Sequence, residues 1–222
     1  MRKLVFSLLL AGPLLVAAWS TNPAPPQNSA APGDLDLRVR RFLEAHRGTW
    51  RDMNVPTVDG QKLHDTIVEH KYKSALEIGT STGYSGIWIA WALAKTGGTL
   101  VTIEIDRGRH DEAVAGFRDA GLAKYVDARL GDAHDIVPAL KGPFDFVFCD
   151  ADKDWYKNYL IAVLPKLTPG GCFAAHNVSE RRWGRLYGGG EFLQYARSLP
   201  SLETSIFSDG AGMSLSYKKP ER

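Results

Sequence analysis

Cysteine is nearly absent, two in 222 residues, so neither a disulfide framework nor a four-thiolate zinc site is available. Charge of one sign is also missing: 27 Lys and Arg against 25 Asp and Glu leave +2, which disfavours a strongly electropositive nucleic-acid binder. Glycine (22) and proline (12) are too few for a fibrous or disordered chain. No internal repeat is visible. The apolar run from Leu4 to Ala18 is short: as a helix it would reach about 22 Å, less than the roughly 30 Å of a bilayer core. Arg2 and Lys3 precede this run and Ser20-Thr21-Asn22 follow it, the layout of a signal peptide over residues 1–20. That predicts export, with a membrane anchor as the alternative, and no cysteine beside the run suggests a lipid anchor. Residues 21–33, rich in Pro, Ala and Asn, read as a disordered linker, so one folded domain is expected over 34–222.

Within that domain short apolar runs alternate with helical patterns. Strands are predicted near Ala75–Gly79, Thr99–Ile105, Val126–Leu130, Phe144–Cys149 and Gly171–Ala175, with helices between them and two further helices ahead, near Asp34 and over Gly60–Lys71. Strands joined by helices imply a parallel α/β sheet with helices on both faces. After a helix near Phe192–Ser198, Thr204–Phe207 and Met213–Tyr217 flank Ser208-Asp209-Gly210-Ala211-Gly212, which suits an antiparallel hairpin and makes seven strands in all. Cys149 and Cys172 fall on predicted buried strands and read as structural thiols.

The loop from Glu77 to Gly86 (EIGTSTGYSG) leaves the first strand and opens a helix, where open α/β sheets bind nucleotides. A pyrophosphate-binding G-x-G-x-x-G is absent, because Thr80-Ser81 stands where its second glycine would lie. Gly79 and Gly83 leave room for a nucleoside without phosphate, and Glu77, Tyr84 and Ser85 belong to the same candidate set. Glu104, beside Ile105 at the end of the next strand, is placed to accept hydrogen bonds from both ribose hydroxyls, and Asp132-Ala133 after the third to receive an adenine amino group. Each feature alone is also plain turn chemistry; the ordered series points to S-adenosylmethionine.

With these residues in view, the chain resembles the catechol and caffeoyl-CoA O-methyltransferase family, small metal-dependent class I enzymes of Rossmann-like fold. The resemblance rests on Met53-Asn54-Val55 with Gly60-Gln61, LEIGTSTGYS from Leu76, TIEID from Thr102, AGL from Ala120, GDA from Gly131, FDFVFCDADKDWY from Phe144 and PGG from Pro169. It implies that Met53 and Val55 cover the methionine end of the cofactor, that Ser85 and the Gly79 backbone bind its amino-acid portion, and that Glu104 holds the ribose. It further implies that Asp150 borders the cofactor and binds a divalent cation, with Lys153 beside the acceptor hydroxyl. A catechol offers two vicinal oxygens, so one cation can chelate both and lower their pKa while Lys153 stabilises or removes the remaining proton. Asp152 is a spare ligand candidate if the strand runs on to it, and otherwise, the favoured reading, a surface or supporting residue.

The pattern breaks at one point. Where the family carries Asp-Asn, this chain has His176-Asn177. A neutral imidazole removes one negative charge and shifts preference from Mg²⁺ toward Mn²⁺ or a softer transition metal. Three readings stay open: Asp150, His176 and Asn177 bind such a metal; no metal binds and His176 is a catalytic base near Lys153; or His176 bonds locally and catalysis is lost. The basic, glycine-rich segment from Ser179 to Gly190 carries Trp183, Tyr187, Arg181, Arg182 and Arg185, an acceptor wall or a solvated loop. The expected activity is methyl transfer from S-adenosylmethionine to a hydroxyl of a small phenolic acceptor. The alternatives are a degenerate S-adenosylmethionine-binding protein, or a metal-free enzyme acting on a hydroxylated nucleoside. The partners expected are that small acceptor and, at most, a second copy of the chain as a homodimer; nucleic acid is not favoured, and a membrane enters only through the N-terminal segment.

Overall fold

The computed structural model describes residues 32–50, 52, 54–180 and 189–220. Two helices lead in, α1 (Pro32–Ala45) and α2 (Thr57–His70). Then come β1 (Ser74–Ile78), α3 (Tyr84–Thr96), β2 (Thr99–Glu104), α4 (Arg107–Asp119), β3 (Val126–Leu130), α5 (Ala133–Ala139), β4 (Phe144–Cys149), α6 (Tyr156–Val163) and β5 (Leu167–His176). The last elements are α7 (Gly189–Ser198), β6 (Leu202–Phe207) and β7 (Met213–Lys218). Among the described residues no helix is long and apolar enough to cross a membrane.

The seven strands form one sheet in the order β3-β2-β1-β4-β5-β7-β6. The five central and left-hand strands pair in parallel, whereas β7 runs antiparallel to both β5 and β6. This is the Rossmann-like sheet with a terminal hairpin that the alternation predicts. The sequence SALEI of β1 and FDFVFC of β4 are almost wholly buried, because helices cover both faces of these strands. One apolar core lies under α1, α2, α3 and α4 and a second under α5, α6 and α7. Helix α3 is buried without interruption from Tyr84 to Leu93, consistent with its apolar sequence on every side.

Several elements differ by a few residues from their sequence-based bounds, and three of the differences bear on the reading. Helix α1 begins at Pro32, whose fixed φ suits a first turn, so Asp34 lies inside that turn rather than capping it. The helix expected between the fourth and fifth strands, over Trp155–Leu167, is divided into a 3₁₀ turn (Lys153–Trp155), α6 and a second 3₁₀ turn (Leu164–Lys166), since Pro165 cannot continue an α-helix. Strand β5 starts at Leu167, four residues before its predicted Gly171 start. Successive strands build outward from β1 in one direction through β2 and β3 and in the other through β4 and β5. The carboxyl ends of β1 and β4 therefore flank a topological switch point, where such sheets open a crevice.

Candidate functional site

A cavity of about 670 Å³ lies over those strand ends. Its floor is the β1–α3 turn. Gly79 has φ +95°, and a Cβ there would come within 3.1 Å of the Ala151 backbone, so the turn can pass this close to the β4 loop only as glycine. The N–H groups of Gly79 and Thr80 both donate to the Ile103 carbonyl at 3.1 Å, which fastens the turn to β2.

Beneath the turn, Glu77 is fully buried and accepts hydrogen bonds from the Ser85 and Thr102 hydroxyls, both at 2.6 Å. Burial pushes its carboxyl up to about 7, and those two hydrogen bonds oppose the rise without cancelling it. Glu77 is therefore a brace under the turn and does not line the cavity. Tyr84 does not line it either: its hydroxyl meets Thr57 Oγ1 at 3.0 Å, and its ring borders a neighbouring cavity of about 780 Å³ with Trp50, Trp88 and Trp91.

Glu104, at the end of β2, does face the cavity. Its Oε2 accepts the Ser81 N–H at 2.7 Å and its Oε1 the Asp106 N–H at 3.0 Å, so two main-chain donors fix the carboxylate while further lone pairs remain for a ligand. Ile105 follows it on the rim. At the end of β3, Asp132 caps α5 by accepting the His134 N–H at 2.8 Å; it and Ala133 line the same wall. Val55 and Ser85 complete the predicted contacts that reach the cavity. Met53 and the residues from Arg181 to Tyr187, with their aromatic and basic candidates, lie outside the described residues.

At the other end stand Asp150, Lys153, His176 and Asn177, all lining the cavity. Lys153 Nζ donates to Asp150 Oδ1 at 3.1 Å and lies 3.2 Å from the Tyr156 hydroxyl, which in turn donates to the His176 carbonyl at 3.1 Å. The His176 ring is 3% exposed and sits between two carboxylates. Its Nε2 is 3.0 Å from Asp59 Oδ2 with hydrogen-bond geometry. Its Nδ1 is 3.0 Å from Asp150 Oδ2, yet is buried without a hydrogen-bond partner, because the approach has the distance but not the angle. Burial pulls the imidazole down, but the two carboxylates outweigh it and carry the ring up to about 9. Burial raises Asp59, and His176 together with the Ala211 N–H brings it below the usual range. Asn177 adopts φ +55°, a left-handed conformation that Asn tolerates. Among the described residues no three His, Cys, Asp or Glu side chains converge as a ready cation cage.

Asp152 does not join that cluster. Strand β4 ends at Cys149, so the period-two argument lapses; Asp152 caps the 3₁₀ turn through the Asp154 N–H at 3.2 Å and faces His134 Nε2 at 3.4 Å. Three residues that the sequence reading passed over do matter here: His134 on the cavity wall, Arg109 paired with Asp52 at 2.5 Å across the rim, and Asp59. For Asp59 a signal existed. It lies four and eight residues before Leu63 and Ile67, on the buried stripe of α2, where an unpaired acid is costly.

The model of a family described as O-methyltransferase matches residues 33–183. A catechol O-methyltransferase of Niastella koreensis is 44% identical over 110 residues, 48% of this chain and 49% of that protein. A caffeoyl-CoA O-methyltransferase 2 of Zea mays is 34% identical over 135 residues, 58% of this chain and 51% of that protein. The chain thus spans about half the length of these curated relatives. Among solved structures, an O-methyltransferase from Bacillus cereus in complex with SAH superposes with a TM-score of 0.71 at 25% identity, covering 83% of this chain and 91% of that one. TomG from Streptomyces achromogenes, involved in tomaymycin synthesis and solved with SAM, gives 0.71 at 28%, covering 82% and 90%.

Proposed function

The chain belongs to the O-methyltransferase family, and from that premise we propose that it transfers a methyl group from S-adenosylmethionine to a hydroxyl of a small phenolic, catechol-like acceptor. The observation that carries this reading is that one cavity joins the Gly79 turn, Glu104 and Asp132 to Asp150, Lys153 and His176. In it, Glu104 accepts the two ribose hydroxyls, its carboxylate held ready by the Ser81 and Asp106 N–H groups. The adenine lies against Asp132, Ala133 and Ile105, and Val55, Ser85 and the Gly79 main chain serve the methionine portion. Met53 belongs to the same portion on the strength of the sequence resemblance.

Methyl transfer is displacement at carbon. A lone pair of the acceptor oxygen forms the new C–O bond, the C–S bond breaks, its electron pair neutralises the sulfonium, and the hydroxyl proton passes to water. Holding donor and acceptor in line is therefore the largest service the cavity can perform. Lys153, fixed by Asp150 and adjacent to Tyr156, places a cation where the acceptor oxygen develops negative charge.

The donor set at the His176 end suits one divalent cation of borderline softness. His176 Nδ1 is a buried nitrogen with no partner, Asp150 Oδ2 lies 3.0 Å from it, and the Asn177 side chain follows directly in sequence. Such an ion would be held by Asp150, His176 and Asn177 and would lower the pKa of an acceptor hydroxyl. With the His176 ring protonated, the charges of Asp59, Asp150, Lys153 and His176 balance, so a divalent cation would bind here by displacing the Nδ1 proton.

The N-terminal segment supports export, with a membrane anchor as the other form.

The test is calorimetric titration with S-adenosylmethionine, followed by transfer of a labelled methyl to catechol with and without Mn²⁺ or a chelator. Cofactor binding with metal-dependent transfer is the expected result. Cofactor binding with no transfer to any phenol would reduce the protein to a binder of S-adenosylmethionine, and chelator-resistant transfer would remove the metal from the reading.

A further inference from the structure

We infer that Asp59 is a positioning residue that selects the working nitrogen of His176, holding Nε2 as the donor so that Nδ1 presents its lone pair to the cavity beside Asp150. The inference rests on the proposed cation between His176 and Asp150. It goes beyond that proposal by naming a third side chain, on an element far away in sequence, that decides how His176 can act.

Asp59 comes from the first turn of α2, and 117 positions separate it from His176. It is 0% exposed, on a helix face otherwise given to Leu63 and Ile67. Such a carboxylate is retained at this depth only if it is paired, and its two oxygens differ: Oδ1 is buried without a partner. The other is used twice: Oδ2 accepts the His176 Nε2–H at 3.0 Å and the Ala211 main-chain N–H at 2.9 Å. The Ala211 bond sets the orientation of the carboxylate, and the carboxylate sets the ring. A neutral imidazole has one donor and one acceptor nitrogen, and the partner of one nitrogen fixes the state of the other. With Nε2 committed to Asp59, Nδ1 is the nitrogen left to give up its proton and present a lone pair to a cation. That nitrogen is the buried atom without a hydrogen-bond partner, facing Asp150 Oδ2 at 3.0 Å. Without a metal, a proton on Nδ1 holds the ring and Asp150 together by charge; a divalent cation would take that proton's place between the two atoms. The arrangement is that of a metal-bound histidine whose second nitrogen is anchored by a carboxylate.

Mn²⁺ binding to the full chain would be measured by calorimetry and electron paramagnetic resonance for the wild type, Asp59→Asn, His176→Ala, His176→Asp and the double variant Asp59→Asn/His176→Asp. Binding of S-adenosylmethionine and thermal melts would be followed in parallel. In the His176 background, Asp59→Asn should weaken Mn²⁺ by about 10–100-fold while cofactor affinity holds. In the His176→Asp background, where there is no ring to orient, the same change should weaken Mn²⁺ only severalfold, through the loss of one nearby negative charge. Nitrogen-15 spectra of the unmutated chain loaded with Zn²⁺ should show Nε2 protonated and Nδ1 ligating, a readout independent of how any variant folds. Should Mn²⁺ bind through His176 but ignore Asp59→Asn, or should Nε2 be the ligating nitrogen, the role of Asp59 falls and the cation reading survives. Should the wild type take up no Mn²⁺ at all, both fall together.

Discussion

At the Glu104 end of the cavity, acids are held mainly by main-chain N–H groups; at the His176 end, side chains dominate, with one main-chain donor, Ala211, on Asp59. Glu104 takes the Ser81 and Asp106 amides, and Asp132 takes the amide of His134. Asp150, by contrast, is contacted by Lys153 and His176, and Asp59 reaches His176 from α2. Main-chain donors come with the strand-to-turn geometry and tolerate many neighbouring sequences. Side-chain clusters require several residue types at once, so a single replacement changes the chemistry available. One end can therefore stay constant as a holder of the donor, while the other can be rewritten, here by a histidine, for a different ion or acceptor.

The comparison is broken most severely at Lys153. Lys153→Met removes the cation beside Asp150 and Tyr156, and turnover should fall by about 10²–10⁴-fold, the range for loss of a positioned acid–base or charge-stabilising group. Affinity for S-adenosylmethionine should stay within severalfold of wild type. Single-turnover methyl transfer beside calorimetry separates the two quantities, and equal losses in both would mean that the two ends are one machine.

Glu77 provides the next largest effect, under the turn rather than in the cavity. Its folded pKa of about 7 stands above the unfolded value near 4.5, so the native state binds the extra proton. The sign follows: its contribution to stability is complete below about pH 4.5 and is lost as pH rises through about 7. A shift of this size corresponds to roughly 3 kcal/mol across the window. Glu77→Gln should flatten that part of the profile, read by urea unfolding between pH 4.5 and 8 against the wild type. A parallel profile for both proteins would show that the buried brace does not titrate there.

Glu104→Ala sharpens the contrast from within the cavity. It removes the acceptor proposed for the ribose, at about 1.5–3 kcal/mol for each charge-assisted hydrogen bond lost, so cofactor affinity should drop by at least about tenfold. Metal binding at the opposite end should not change. Calorimetry with S-adenosylmethionine and then with Mn²⁺ measures both, and an unchanged cofactor affinity would remove the ribose assignment.

The alternation of strand and helix, the terminal hairpin and the strand-end acids were legible because each rests on local periodicity or on a turn a few residues long. Glu104 and Asp132 sit where strands end, and their backbone partners are only 23 and 2 residues distant. Glu77 was legible as important but not as to direction: its side chain turns under the loop toward Ser85 and Thr102, and loop membership alone does not reveal that. Asp152 depended on a strand that stops at Cys149. Asp59 and Arg109 gain their meaning from contacts that only tertiary packing creates, between α2 and β5 and between α4 and the segment before α2.

The smallest expected effect concerns that last contact. Arg109 Nε meets Asp52 Oδ2 at 2.5 Å and its Nη2 meets Oδ1 at 3.2 Å, a two-pronged pair joining the rim of the cavity to the chain ahead of α2. Both side chains are about a third exposed, 38% and 31%, so solvent and salt screen the attraction. The pair should contribute no more than about 0.2–1 kcal/mol to stability. Ser81 adds a weak tie to the same segment through its hydroxyl and the Asp52 carbonyl at 3.3 Å, and its N–H also holds Glu104. Opening the pair therefore acts on the Glu104 end and leaves the His176 cluster alone. Arg109→Gln should speed release of S-adenosylhomocysteine by less than about fivefold, corresponding to at most about 1 kcal/mol, and the difference from wild type should shrink as salt is raised. Stopped-flow release at low and high ionic strength measures it. A change tenfold or larger, insensitive to salt, would mean that Arg109 touches the cofactor itself and that the Glu104 end also depends on a side chain brought from elsewhere.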